Sequence, residues 1–265
     1  ESLGEFPVAA LAEEIDTPGD GQIRALVTIA GNPVLSTPNG ARLDAALEQL
    51  DFMVSVDIYL NETTRHADVI LPVPSPLQKP HYDLALLQLA LRNVANWSEP
   101  VLPLDDGQPD EWEVLCKLAA IAVGLGPDAD PAAIDDVVYG SMSKDTPADV
   151  TGAVAASGRV GPARLVDHML RTGPYGLSLD DLLANPHGVD LGPLEPRLPE
   201  ALRTPSGKVE MAPEPIVADL ARLRATLAES AGRNGDFLLI GRRHLRSNNS
   251  WMHNIGVLVK GRPRC

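Results

Sequence analysis

The stretch QIRALVTIAGNPVLSTPNGARLDAALEQLDFMVSVDIYLNETTRHADVILP, residues 22–72, restricts the possible folds more than any other part of the chain. Ala25–Ile29 is a short apolar run closed by Gly31, Asn32 and Pro33, the pattern of a buried strand ending in a turn. Asn39 can cap a helix, and Leu43, Ala46, Leu47 and Leu50 then recur at helical spacing, which predicts a helix over 40–50. Phe52–Leu60 reads as a second strand and Ala67–Leu71 as a short third one stopped by Pro72. Strand, turn, helix and strand at this length form a βαβ unit, whose crossover makes the two strands parallel. The three strands are therefore expected as neighbours in one parallel sheet, with the helix packed on a face.

Beyond this unit, HYDLALLQLALRNVANWS and PDEWEVLCKLAAIAVGL read as two further amphipathic helices. From about Gly124 to Glu200 the pattern weakens to short helical fragments between Pro- and Gly-rich turns. RTPSGKVEM suggests a hairpin turn at Ser206–Gly207 leading into a strand, EPIVADLARLRATLAES a helix, and FLLIG a buried strand. With only 4% aromatic residues, the core has to be built from Ala, Val, Leu and Ile. At 265 residues there is room for one large domain or two smaller ones.

The charge balance narrows the partners. Thirty-six acids against 22 bases argue against a nucleic acid, whose binding rests on phosphate neutralisation. Phe237 to Cys265 reverses that balance, with Arg242, Arg243, Arg246, Lys260, Arg262, Arg264 and no acid, and suits a small anionic ligand. Cys116 and Cys265 make neither a metal-ligand spacing nor a disulfide framework, and Cys116 reads as a small core hydrophobe. No apolar run reaches membrane-spanning length and no secretory leader opens the sequence, so the expected location is the cytoplasm.

Gly31, Asn32 and Pro33 follow directly on a strand, where open α/β sheets bind ligands and where glycine lets backbone approach a phosphate or sugar. An ordinary strand-end turn explains them equally well. Asp57, near the carboxyl end of the next strand, suits a ribose hydroxyl or the N–H edge of guanine, or simply closes that strand end. It is expected beside Gly31–Asn32 with its carboxylate open to a groove. Asn61, Thr63 and Thr64 could extend a polar lip. Asp68, between apolar strand residues, is expected to bond backbone amides. His66 and His81 have no second ligand at metal spacing and read as surface or internally satisfied histidines. Asp110 and Glu111 open a helix, where acids complement the dipole. The dinucleotide fingerprint G-x-G-x-x-G is absent.

ALVTIAGNPVLSTPNG, LDFMVSVDIYLNETTRHADVILP, RTPSGKVEM and GRRHLRSNNSWMHN occur in the order found in molybdopterin-dependent oxidoreductases of the dimethyl-sulfoxide reductase and formate dehydrogenase type, which the chain resembles. The resemblance runs from about Ala25 to the end and is loosest between about 125 and 200. It implies an α/β fold, a Rossmann-like parallel sheet with flanking helices, followed by a linker and the truncated start of a C-terminal β-barrel. The implied boundaries are 1–125, 126–235 and 236–265. The implied cofactor is bis(molybdopterin guanine dinucleotide) molybdenum. Carried over by motif, Gly31, Asn32, Pro33, Ser36, Asp57, Asn61 and Thr63 fall on the nucleotide side. Glu111 falls near the acid of a "DW" helix start that here reads "DEW". Arg242, Arg246, Ser247, Asn248, Asn249, Ser250, His253 and Asn254 fall on the stretch that covers the pterins, with Trp251 packing beneath them.

The departures from the family shape the expectation further. The family's iron–sulfur cysteines and molybdenum ligand belong to upstream sequence, and nothing here matches them. The chain is thus expected to be a carboxyl-side fragment that is inactive alone, contributing part of a cofactor cradle to a molybdenum oxidoreductase. Its expected partners are the remainder of the parent polypeptide, a small-molecule substrate and an electron carrier. Two alternatives stand beside this: a cofactor-free scaffold such as the large peripheral subunit of NADH dehydrogenase, and an unrelated nucleotide-binding α/β domain. The many donors of 242–254 count against the first alternative, and the missing glycine fingerprint against the second.

Overall fold

A computed structural model describes residues 5–230 and 255–261. The chain divides into two units, residues 1–195 and 196–265, which are taken separately.

The first unit opens with helix α1 (Leu11–Asp16), strand β1 (Ala25–Ile29), the single-turn helix α2 (Pro33–Ser36) and helix α3 (Gly40–Leu47). Strands β2 (Phe52–Val56) and β3 (Val69–Leu71) follow, in sheet order β1-β2-β3. Both pairings are parallel, with Ala25 opposite Phe52 and Val54 opposite Val69, as the βαβ pattern requires. Leu43, Ala46 and Leu47 line one side of α3 at helical spacing and are all buried. They pack with Ala12, Ile15, Val34 and Met53, so α1 and α3 cover one face of the sheet. Asp68 does bond backbone: its Oδ2 accepts the Met53 N–H at 2.7 Å while its own N–H donates to Met53 O at 2.9 Å.

Asn39 precedes α3 as expected but caps nothing with its side chain, because its backbone is left-handed (φ 56°). That conformation swings α3 sharply back over α2. A Cβ on Gly40 would lie 2.1 Å from the Val34 carbonyl oxygen, so the corner admits only glycine.

The stretch expected to be a helix over 81–98 is not one. It holds a 3-10 turn at Leu87–Leu89 and strand β4 (Arg92–Ala95), which pairs antiparallel with β5 (Val189–Pro193). Leu84, Leu87 and Leu91 keep helical spacing while Leu87, Leu89 and Leu91 alternate at a two-residue period, so the leucines fit either element. A partner almost a hundred residues away decides between them. Arg92 and Asp190 face each other across this pair at 2.8 Å.

The weakly patterned region is more ordered than its sequence suggests. Helices α4 (Glu111–Ala122), α5 (Pro131–Met142), α6 (Ala148–Ala156), α7 (Gly161–Thr172) and α8 (Leu179–Leu183) follow in turn. Ala95, Trp97, Leu170, Leu179 and Leu182 form a second apolar cluster. Around it run buried charges: Arg164 pairs with Asp135 at 2.5 Å, and Asp167, fully buried, accepts the Leu179 N–H at 2.7 Å and pairs with Arg171 at 3.0 Å. Each charge enters the core with its counter-charge or a hydrogen-bond donor, as burial demands. Cys116 is half-buried on α4, where burial pushes its thiol pKa up.

In the second unit, residues 204–207 make the expected turn, with Thr204 Oγ1 donating to the Lys208 carbonyl at 2.7 Å, but no strand follows it over 208–213. Helix α9 (Glu214–Ser230) forms where expected, and a single turn, α10, spans Gly256–Val259. The FLLIG strand and most of the expected barrel start, 236–265, lie outside the described residues, and the described part, 255–261, holds only the turn α10 and no strand. Among those residues, no helix is long and apolar enough to cross a membrane.

Candidate functional site

The carboxyl ends of β1 and β2 bring together most of the residues picked out in the first 75. Beyond β1 the chain turns on two left-handed residues, Ala30 (φ 52°) and Gly31 (φ 78°). The Ala30 N–H remains tied to the Val56 carbonyl at 2.8 Å, so the sheet ladder runs up to the turn. Gly31 is exposed; a Cβ there would meet nothing within 4 Å, and its amide meets no acceptor among the described residues. A ligand can therefore reach this backbone without displacing a side chain. Pro33 opens α2, where its fixed φ suits a first helical position. Ser36 closes α2, exposed, with its N–H on the Asn32 carbonyl at 3.0 Å.

Asp57 directly follows β2 beside this turn but is not open to a groove as expected. It is only 7% exposed, and its Oδ1 accepts the Tyr59 N–H at 2.9 Å. An aspartate reaching two residues forward closes its own turn, which here reverses the chain at the strand end. Its other oxygen has no partner among the described residues, yet the sole sealed, unpaired side-chain atom among them is Arg164 Nε. One carboxylate oxygen of Asp57 thus keeps contact with solvent.

The loop after Asp57 is knitted by side chains. Asn61 Oδ1 accepts the Thr63 and Thr64 N–H groups, both at 2.9 Å, and Thr64 Oγ1 accepts the Asn61 N–H and donates to Tyr59 O, both at 2.8 Å. Thr63 Oγ1 donates to Asn32 Oδ1 at 2.7 Å and accepts the Val34 N–H at 3.1 Å, joining this loop to the turn after β1. Asn32 Nδ2 donates to Glu62 Oε2 at 2.7 Å. That donation holds the Glu62 carboxyl below the usual carboxylate range, helped by Glu62's own backbone N–H. Next along, Arg65 and His66 grip Asp44 of α3 at 2.6 and 2.7 Å, which accounts for His66 as an internally satisfied histidine. Sequence reading missed Glu62, although it is the one acid between Ile58 and His66.

Glu111 is not part of this network. It opens α4 and pairs with Lys79 on the wall of a separate cavity of about 310 Å³ lined by Tyr82, Trp97 and Trp112. Asp110 caps that helix, its side chain accepting the Glu111 N–H at 2.6 Å in a reciprocal capping box with Glu113. Arg242, Arg246, Ser247, Asn248, Asn249, Ser250, His253 and Asn254 lie outside the described residues, as does Trp251. Among the described residues no three His, Cys, Asp or Glu side chains converge as a metal site.

Comparison with known proteins finds this network within a segment that a family model matches. Residues 2–75 match the family model "Molybdopterin oxidoreductase". The chain is 32% identical over 117 residues to the assimilatory nitrate reductase catalytic subunit of Bacillus subtilis, covering 43% of this chain and 15% of that protein. It is 31% identical over 137 residues to the F420-dependent formate dehydrogenase subunit alpha of Methanocaldococcus jannaschii, covering 52% and 19%. It is also 35% identical over 68 residues to a NADH-quinone oxidoreductase subunit of Streptomyces coelicolor, covering 26% and 8%. The chain thus spans less than a fifth of the length of each of these relatives. The family match covers the three-stranded sheet and both loops of the network, and through this segment the chain is similar to the molybdopterin oxidoreductases.

Proposed function

We propose that the carboxyl edge of β1 and β2 holds one guanine nucleotide arm of a molybdopterin guanine dinucleotide cofactor, within a molybdenum-dependent oxidoreductase. One observation carries the reading: an unobstructed backbone amide at Gly31 lies beside an acid with one unsealed oxygen, on two loops bonded to each other. The residues fit the group. A free amide with no side chain in front of it suits a phosphate or sugar oxygen, and a carboxylate suits the N–H edge of guanine or a ribose hydroxyl. When bound, the molybdenum of such a cofactor supplies two-electron redox chemistry. The part of this chain is to bind and orient the nucleotide end. Asn61 and Thr63 shape the loop, Pro33 sets the turn, and Ser36 stands at the exposed end of α2. Arg242, Arg246, Ser247, Asn248, Asn249, Ser250, His253 and Asn254 are proposed to cover the pterins with cationic and short polar donors. The substrate and electron carrier belong to the whole enzyme.

Titration calorimetry of the purified chain with guanosine diphosphate, against adenosine diphosphate as control, tests this. Guanine is expected to bind in preference. Asp57→Ala should cost roughly 1.5–3 kcal/mol of that affinity, the worth of one charge-assisted hydrogen bond, with circular dichroism unchanged. Equal affinity for both nucleotides, or an Asp57→Ala variant that binds as well as the parent, would refute the assignment. A second reading, the cofactor-free scaffold, is favoured by the similarity to the NADH-quinone oxidoreductase protein of Streptomyces coelicolor. A folded chain that binds neither nucleotide supports it.

A further inference from the structure

Asn32 stands in the middle of the nucleotide edge, yet its side chain faces inward on the protein. The amide donates to Glu62 Oε2 and accepts from Thr63 Oγ1, both at 2.7 Å, so each end of the group is already engaged. An amide carries two donor hydrogens and two acceptor lone pairs, and here one of each bridges two loops about thirty residues apart. Thr63, wholly buried, passes the connection on to the Val34 N–H at the start of α2. The far end of the same loop is moored separately, through Arg65 and His66 on Asp44 of α3. The loop is therefore held at both ends. At the end nearest Gly31 and Asp57, the sole charged tie is Asn32 to Glu62 among the described residues.

We propose that Asn32 and Glu62 form a latch that sets the spacing between the two loops, and so positions the Gly31 amide relative to the Asp57 carboxylate. Both are positioning residues and neither contacts the ligand through its side chain. The inference rests on the nucleotide reading above for its purpose, but the latch itself is a property of the loops. Its chemistry explains the pairing. A carboxylate accepting from a neutral amide makes a short, charge-assisted bond without a buried counter-ion. Of the charges facing Glu62, Arg65 favours the ionised form and Asp44 opposes it, and the Asn32 donation exceeds both. The latch is accordingly closed at neutral pH.

Exchanging the partners tests the idea on the intact chain. Asn32→Asp sets two carboxylates against each other, whereas Asn32→Asp with Glu62→Gln restores one carboxylate and one amide with their roles reversed. Thr63 keeps an oxygen to donate to in either variant. Hydrogen–deuterium exchange of residues 30–36 and 58–64 reads the latch directly, and guanosine diphosphate affinity reads its use. In Asn32→Asp, exchange is expected to rise about tenfold in both loops together, with affinity falling by a similar factor, and the double variant should return both towards the parent. Acidification to about pH 4 should also restore the single variant relative to the parent at the same pH, since one proton can then bridge the two carboxyls. Exchange that rises in one loop only, or that the double variant fails to rescue, would overturn the latch. Should the parent bind no nucleotide while the exchange pattern holds, the latch stands and the nucleotide reading falls. Should Asn32→Asp not fold, Glu62→Gln, which keeps an acceptor but loses the charge, is expected to give a smaller rise in both loops, and no rise would count against the proposal.

Discussion

Replacing Gly40 by alanine opposes two effects whose magnitudes differ enough to decide the outcome. Gly40 is the first residue of α3, and helix propensity alone favours alanine over glycine by up to about 1 kcal/mol. The corner geometry argues the other way. The new Cβ would stand 2.1 Å from the Val34 carbonyl oxygen and 3.3 Å from its carbon. Both atoms are backbone, so no rotamer change relieves the contact, and restoring van der Waals distance requires a shift of roughly 1 Å or more. Val34 belongs to the core with Leu43 and Ala46, so displacing α2 from α3 also disturbs buried packing. Overpacking of this kind costs about 1–3 kcal/mol, and a backbone-to-backbone clash sits at the upper end. The net expectation is a loss of about 2 kcal/mol, seen as a lower urea midpoint at unchanged slope. Gly31→Ala is the control. Its φ of 78° penalises a side chain by about 1–2 kcal/mol, but its Cβ meets open space. Gly40→Ala should also disturb the α2–α3 corner by exchange measurements, and Gly31→Ala should not. A neutral or stabilising Gly40→Ala would refute the reasoning.

Two further outcomes follow from the charged groups. Asp135→Asn leaves the Arg164 guanidinium facing only the more exposed Asp136 and should cost about 3 kcal/mol, measured by chemical denaturation; a loss below about 1 kcal/mol would mean that Arg164 finds compensation elsewhere. The hydrogen bonds from His66 and Arg65 hold the Asp44 carboxyl below its usual range, so its folded pKa lies under its unfolded one. Its stabilisation is therefore complete above the unfolded value, near pH 4, and disappears as pH falls through the lower folded value. Thermal midpoints taken from pH 7 to pH 3 should fall less steeply in Asp44→Asn than in the parent, and parallel profiles would contradict this assignment.

Local pattern carried the first sheet a long way. The run Ala25–Ile29, the helical spacing of Leu43, Ala46 and Leu47, and the run opening at Phe52 each encode their element within a few residues, and a βαβ crossover leaves only the parallel arrangement. Asp68 was legible for the same reason, since an acid between apolar strand residues has only backbone to bond. The helices at Glu111–Ala122 and Glu214–Ser230 were likewise visible in their own periodicity.

What the tertiary structure decided depends on groups distant in the chain. β4 is a strand because β5 returns to it, and no window around Arg92 contains Val189. Asn32, chosen as a ligand contact from its place in a strand-end turn, has its side chain consumed by Glu62 and Thr63 once the sheet sets the two loops side by side. Asp57 was placed correctly at its strand end, but its burial comes from the turn it closes and the loop folded beside it. The ion pairs of Arg164 and Asp167 draw partners from α5, α7 and their flanks, where the sequence shows only scattered charges among weak helices. Periodicity records which face of an element is buried. Which polar groups meet is set by how the elements pack, and each such group must find its partner there because water is excluded.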